Sequence, residues 1–315
     1  MKMVVTGGAG FIGRWLVKRL LEDGHDVWIL DDLSNGRREN LEEFEGHPGF
    51  KEFLNGDIKD VNMLDNFFSN HFDICYHLAA SINVQDSIDV PRTTFENDVM
   101  GTFNVLEQCK KHGTKIVFMS TCMVYDRAQE ETGITERHPV KPASPYAGSK
   151  IAGENMVLSY WYAYGLPAVV VRPFNTYGPF QKTGGEGGVI AIFIKNNLAG
   201  QELAIYGDGK QTRDFLYVED CASFVAQCGY SAGVNGEIIN AGLGRDVTVT
   251  DLALSITKDK HKIKYMPHIH PQSEIMKLLC NNEKAQNLLD WQVRYDLEEG
   301  IAKTTEWIKH NHKLI

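Results

Sequence analysis

Tyr146 and Lys150 stand four residues apart in the run YAGSK, a spacing that puts both on one face of a helix, one turn from each other. A free phenol has a pKa of about 10 and is a poor base at neutral pH. A neighbouring ammonium favours the phenolate and lowers that value. A phenol tuned in this way can take the proton of an alcohol or sugar hydroxyl while a hydride leaves the same carbon. Such a pair arises by chance in many helices. It gains weight from Ser120 and Thr121, the latter 25 residues before Tyr146, and from a glycine run at the N-terminus.

That run, TGGAGFIG over residues 6–13, follows an apolar strand pattern and opens a helix. Gly7, Gly10 and Gly13 permit a tight turn, close backbone approach to a pyrophosphate and close helix packing. The helix N-terminus adds N–H donors and partial positive charge. The second strand, VWILD, ends at Asp31, 18 residues after Gly13. A carboxylate there hydrogen-bonds a ribose 2′-OH and repels a 2′-phosphate, so NAD is expected rather than NADP. Asp32 follows it directly. Arg37 and Arg38 are the nearby features that would suit a 2′-phosphate.

The elements that must hold these groups are legible as an alternation. Strands are expected near 2–6, 26–31, 51–54, 73–77, 115–120 and 167–172, and helices near 11–22, 60–69, 91–112 and 145–164. This pattern predicts an α/β fold with a doubly wound parallel sheet covered on both faces. After Pro173 it loosens into a glycine-rich loop (184–188), helices near 189–199, 218–230, 249–257 and 296–310, and strands near 203–206 and 214–217. A smaller C-terminal α/β lobe is expected, giving a cofactor domain over 1–175 and a substrate lobe over 176–315, with some chain crossing back.

With 315 residues, 43% hydrophobic and 23% charged, the chain is of ordinary globular composition. A net charge of −9 without a basic run argues against nucleic-acid binding. No stretch approaches the roughly 20 apolar residues of a membrane span, and MKMVVT enters a strand without a leader pattern. Cys75, Cys109, Cys122, Cys221, Cys228 and Cys280 form no CxxC pair, which predicts reduced thiols in a cytoplasmic protein. The histidines show no metal-binding spacing, so no metal is expected.

The chain resembles the extended short-chain dehydrogenase/reductases of the nucleotide-sugar epimerase/dehydratase family, which have a Rossmann-type fold. The likeness runs almost end to end through TGGAGFIG (6–13), DDLSNG (31–36), GDI (56–58), HLAA (77–80), STCMVY (120–125), SPYAGSK (144–150), RPFNTYGP (172–179) and YGDGKQTRDFLYVED (206–220). The resemblance implies an NAD site made by Gly7, Gly10, Phe11, Ile12, Gly13, Asp31, Asp32 and Asn35. Asp57 and Ile58 would flank the adenine, and Leu78, Ala79 and Ala80 the nicotinamide ribose. Asn97, Tyr146, Lys150 and Pro173 complete that set. On the substrate side it implies Thr121 at the sugar 4-OH, Asn175 and Arg213 at the diphosphate, and Val189. Leu278 falls where some epimerases carry a bulky Tyr, leaving room for a 2-acetamido sugar. Simpler roles stay open: Asn97 as a tie between loops, Asn175 as a turn residue, Arg213 in an ion pair with Asp214. The 184–188 loop reads equally as a flap over the nucleotide and as a connector.

The implied first step is oxidation at C4. Family dehydratases follow the catalytic Thr with Asp-Glu and decarboxylases with Ser-Glu, whereas this chain has Cys122 and Met123. Without those carboxylates 4-epimerisation is the favoured outcome, on a UDP-hexose or UDP-N-acetylhexosamine. The alternatives are a 4,6- or 5,6-dehydratase using Cys122 as acid or base, a reductase that releases NAD+, and a non-catalytic NAD-binding protein. The arginine that often clamps the diphosphate is absent near 270. His270 and Lys195 are the candidate replacements. Helices 91–112 and 145–164, the latter with a stripe of Met156, Tyr160 and Tyr164, resemble the pair that joins family homodimers.

Overall fold

The computed structural model describes residues 1–128, 133–184, 188–268 and 274–311. Its strands are β1 Lys2–Thr6, β2 Asp26–Asp31, β3 Phe50–Asn55, β4 Ile74–His77, β5 Lys115–Met119, β6 Ala168–Pro173, β7 Asn175–Tyr177, β8 Leu203–Tyr206, β9 Thr212–Tyr217, β10 Ile238–Ala241, β11 Asp246–Thr248, β12 Ile263–Met266 and β13 Lys277–Leu278. Seven of them form one parallel sheet in the order β10-β6-β5-β4-β1-β2-β3. Runs such as AVVV in β6 are buried throughout, as both faces of such a sheet are covered. Met3 and Val5 pack with Leu16, Leu20, Phe224 and Val225 on one face. Val4 packs with Leu64, Phe68, Leu106 and Val157 on the other. This is the doubly wound Rossmann arrangement.

The helix Pro145–Tyr164 has clear local causes. The Ser144 side chain caps the Ala147 N–H, Pro145 occupies the first turn, and Gly165 ends it in the left-handed region at φ 68°. The expected 91–112 helix is interrupted instead: Pro91–Thr94 passes through a π-helical turn, Phe95–Met100, into Gly101–His112. Thr94 and Gly101 on either side of the turn both hold right-handed helical angles, so the chain enters and leaves it as helix. The Met156–Tyr160–Tyr164 stripe also divides. Tyr160 is buried, with its hydroxyl on Glu107, while Tyr164 is exposed.

The second lobe holds β11-β9-β13, with β7 also on β9, and the pair β12-β8, around its own core. β7 and β10–β13, of two to four residues each, have no counterpart among the expected strands. β10 lies late in the chain yet forms an edge of the large sheet. Among the described residues no helix is long and apolar enough to cross a membrane, and no cluster of His, Cys, Asp or Glu could hold a metal ion.

Candidate active site

The strand order reverses beside β1, whose neighbours β2 and β4 lead the chain to opposite sides; ligands of doubly wound sheets bind at such a point, beyond the carboxyl ends of the strands. A cleft of about 870 Å³ opens there. Gly7, Gly10, Phe11, Ile12, Gly13, Asp31, Asp32, Asn35, Ile58, Leu78, Ala79, Ala80 and Asn97 line one part of it, and Thr121, Cys122, Tyr146, Lys150, Pro173 and Asn175 the other.

The glycine turn is shaped by exclusion. Gly7 has φ +73°, and a Cβ on it would stand 2.7 Å from the Ala79 nitrogen. A Cβ on Gly13 would stand 2.1 Å from the Gly7 carbonyl oxygen. A side chain at either position would collide with backbone, so only glycine lets the turn close this tightly against the start of the helix, and the cradle fits a dinucleotide. Asp31 is buried at the tip of β2, accepting the N–H groups of Ala9 and Leu33, both at 2.9 Å. Burial holds its carboxyl above the usual range. Asp32 is exposed and accepts the Ser34 N–H.

At the other end, Tyr146 and Lys150 stand one turn apart on the capped helix, both buried. Thr121 caps the short turn Cys122–Val124, accepting the Met123 N–H at 3.2 Å, and its hydroxyl acts to lower the Tyr146 phenol pKa. Lys150 Nζ donates to the Met119 carbonyl at 3.0 Å and lies 6.0 Å from the centre of the Tyr146 ring. The protein's own groups raise this phenol. Burial, then the Asp98 charge, push it up, opposed by the Thr121 hydroxyl. Burial also lowers the Lys150 ammonium, opposed by Asp98 and Glu154.

Two residues of this site, Asp98 and Glu154, lie outside the quoted motifs. Asp98, on the π turn, accepts the Ser81 N–H at 2.7 Å and the Ser149 hydroxyl at 2.9 Å. Glu154, one turn past Lys150, accepts Nε of Arg172 at 2.8 Å together with its Nη2 and the Ser120 hydroxyl. Beneath the cleft His77 bridges Thr6 and Thr102, held neutral with a pKa lowered to about 3 by burial and the Lys150 charge. Asn97 donates to the Ser81 hydroxyl, which is a tie between loops, and also lines the cleft.

Five expected residues, Asp57, Val189, Arg213, Leu278 and Lys195, do not line the cleft. Asp57 turns outward to the Lys59 N–H and ammonium, leaving Gly56 and Ile58 on the wall. Val189 opens the helix Val189–Leu198 and packs on the second-lobe core. Arg213 pairs with Glu274, not Asp214, and donates to the carbonyls of Thr212 and Ile275 at 2.8 and 2.7 Å. Leu278 is fully buried with Cys122 and Phe174, so the expectation that it faces the sugar is corrected. Asn175 does line the cleft, and its amide donates to the Asp214 carbonyl at 3.2 Å. Lys195 is exposed and off the cleft, while His270 lies outside the described residues, as does the centre of the 184–188 loop. The Cys122 thiol is pushed up to about 12 by burial, in spite of the Arg213 charge.

Residues 3–242 match the NAD dependent epimerase/dehydratase family. The chain is 38% identical to the UDP-glucose 4-epimerase of Mycolicibacterium smegmatis, over 98% of this chain and 99% of that protein. It is similar to the crystal structure of Pal from Bacillus thuringiensis, with a TM-score of 0.97 and 64% identity over 98% of this chain and 99% of that one. The UDP-glucose 4-epimerase of Thermotoga maritima, solved with UDP-glucose, superposes with a TM-score of 0.92 and 33% identity over 99% and 100% of the two chains.

Proposed function

The chain belongs to the NAD-dependent epimerase/dehydratase family and is an NAD-dependent nucleotide-sugar enzyme; from that premise we propose that it is a 4-epimerase acting through a transient 4-keto sugar, on a UDP-hexose or UDP-N-acetylhexosamine. The observation that carries the reading is the cluster of Thr121, Tyr146 and Lys150, followed by Cys122 and Met123 where a second acid–base pair would stand. NAD, when bound between the glycine turn and Asp31, supplies the acceptor and donor of hydride. Tyr146 Oη takes the proton of the sugar 4-hydroxyl, and Thr121 Oγ1 holds that oxygen. Lys150 keeps positive charge beside the phenolate as it forms. A planar 4-ketone that turns over before reduction regains its proton from Tyr146 with inverted configuration.

Dehydration is a second reading, because Cys122 lines the cleft beside Thr121. Burial raises the Cys122 thiol as it raises the Tyr146 phenol, so what favours epimerisation is that positions 122 and 123 carry no carboxylate for proton transfer away from C4. Loss of catalysis is disfavoured by the intact Thr121, Tyr146 and Lys150. The mass spectrum of products from a panel of UDP-, dTDP- and GDP-sugars tests the proposal. Epimerisation leaves the mass unchanged and alters chromatographic retention. Loss of water supports dehydration, and stoichiometric NADH consumption supports a reductase; either result overturns the proposal.

A homodimer through residues 91–112 and 145–164 is part of the proposal. It is supported by the exposed Phe95, Met100, Phe103, Tyr162 and Tyr164 on those two segments. Sedimentation equilibrium returning the mass of one 35.4 kDa chain would reject it.

A further inference from the structure

Residues 178–184, which follow β7, return to the cleft, where Phe180, Gln181, Lys182 and Gly184 line it. The segment is anchored at its base. Trp15 Nε1 donates to the Pro179 carbonyl at 3.1 Å, and the Phe180 ring lies 4.7 Å from that of Trp307. The Arg14 guanidinium stacks 4.0 Å from the Phe180 ring centre, and Phe180 holds φ +71°, an uncommon value for an aromatic residue. Gln181 Nε2 then donates to the Thr176 carbonyl at 3.1 Å. With its base fixed, Lys182 reaches across to the loop after β2, where its ammonium donates to the Asn35 side chain.

That loop lies directly on the glycine turn. A Cβ on Gly36 would stand 2.8 Å from the Ala9 carbonyl carbon, and the Arg37 N–H donates to the Ala9 oxygen at 3.1 Å. Lys182, bonded to Asn35, therefore lines the same cleft as Gly7, Gly10 and Phe11. Among the described residues lining the cleft, the Lys and Arg side chains are Arg37, Lys150 and Lys182, and Lys150 is committed to the Tyr146 end.

We infer that Lys182 is a cofactor-binding residue whose ammonium pairs with the pyrophosphate of NAD, so that the second lobe supplies the charge that retains the cofactor in the first. Desolvation and the neighbouring Arg37 charge both lower the ammonium pKa, a like-charge placement that an anion between the two cations relieves. The bond to Asn35 keeps the side chain aimed at the channel in the meantime. The inference rests on the cofactor and not on the sugar reaction, so it stands or falls separately from the epimerase reading.

The test is the release of bound radiolabelled NAD from the purified protein into excess unlabelled NAD, at low and high salt. K182A is expected to speed release on the order of tenfold at low salt, as loss of a charge-assisted hydrogen bond would, with less effect at high salt. K182R should stay close to wild type, and K182Q should behave like K182A. ADP should compete less well against K182A than against wild type, and adenosine equally well against both. Release from K182A within twofold of wild type overturns the inference. So does K182Q matching wild type, since a glutamine can keep a bond to Asn35 without the charge. Equal losses for ADP and adenosine would place the effect on the ribose loop and overturn the phosphate assignment.

Discussion

Removing the Glu154 carboxylate should be among the more damaging changes outside the proposed catalytic set. Glu154 and Arg172 are each 3% exposed, and the carboxylate accepts two guanidinium N–H groups and the Ser120 hydroxyl. Glu154→Leu strands a buried guanidinium against the Tyr125 ring, whose centre lies 4.6 Å from Arg172 Cζ. Breaking one side of such a pair costs about 3–5 kcal/mol, because desolvation of the remaining charge is no longer offset. With unfolding entropy near 2.1 cal/mol/K per residue, a chain this long loses roughly 5–8 °C of Tm. Urea titration and calorimetry measure the two quantities. A double variant, E154L/R172M, should be more stable than E154L alone, since it removes the orphaned charge as well. A single variant within about 1 kcal/mol of wild type, or a double variant as damaged as the sum of both singles, would refute the reasoning. Turnover should fall too, well below the melting range, because Ser120 precedes Thr121 and its tie to the helix carrying Tyr146 is lost.

Tyr146→Phe should lower kcat by about 10²–10⁴-fold while bound NAD is retained, as expected for loss of a proton acceptor; retained turnover would favour a non-catalytic protein. Since Tyr146 works as a base and its phenol is raised by burial and by Asp98, activity should rise with pH. The groups acting on that phenol are Asp98, Thr121 and Cys122, so Asp98→Asn removes the negative charge and should move the acid limb of kcat/KM to lower pH. An unmoved limb would show that another group titrates. Cys122→Ser should keep turnover within a few-fold of wild type if epimerisation is the reaction, and a 100-fold loss would favour the dehydratase.

The parts of this site that could be read from the chain are those whose partners are close in sequence. The Tyr146–Lys150 turn is set by one helix with its cap at Ser144, and the cradle by the four residues between β1 and the next helix together with that helix's first turn. The bracing acids were not visible, because Asp98 meets Ser149 and Glu154 meets Ser120 and Arg172 only after the sheet has formed. The π turn that carries Asp98 is entered and left as helix, so spacing alone could not reveal it. Leu278 was misplaced for a related reason: a two-residue strand beside a divergent segment carries no pattern to fix its register. The direction of the Tyr146 shift depended on burial, which the local sequence does not state.

The lateness of β10 bears on how the molecule is made. Its partner β6 ends at Pro173, but the strand covering that edge begins only at Ile238. A nascent chain that has emerged through residue 175 therefore holds a cofactor half with the backbone of Ala168–Pro173 open along one side. Such an edge is a template for pairing with another chain. The helix Val218–Tyr230, which brings Phe224 and Val225 into the same core, arrives in the same interval. Synthesis past the second lobe closes the first, so the two halves are expected to reach the native state together and to resist being cut apart or exchanged as modules.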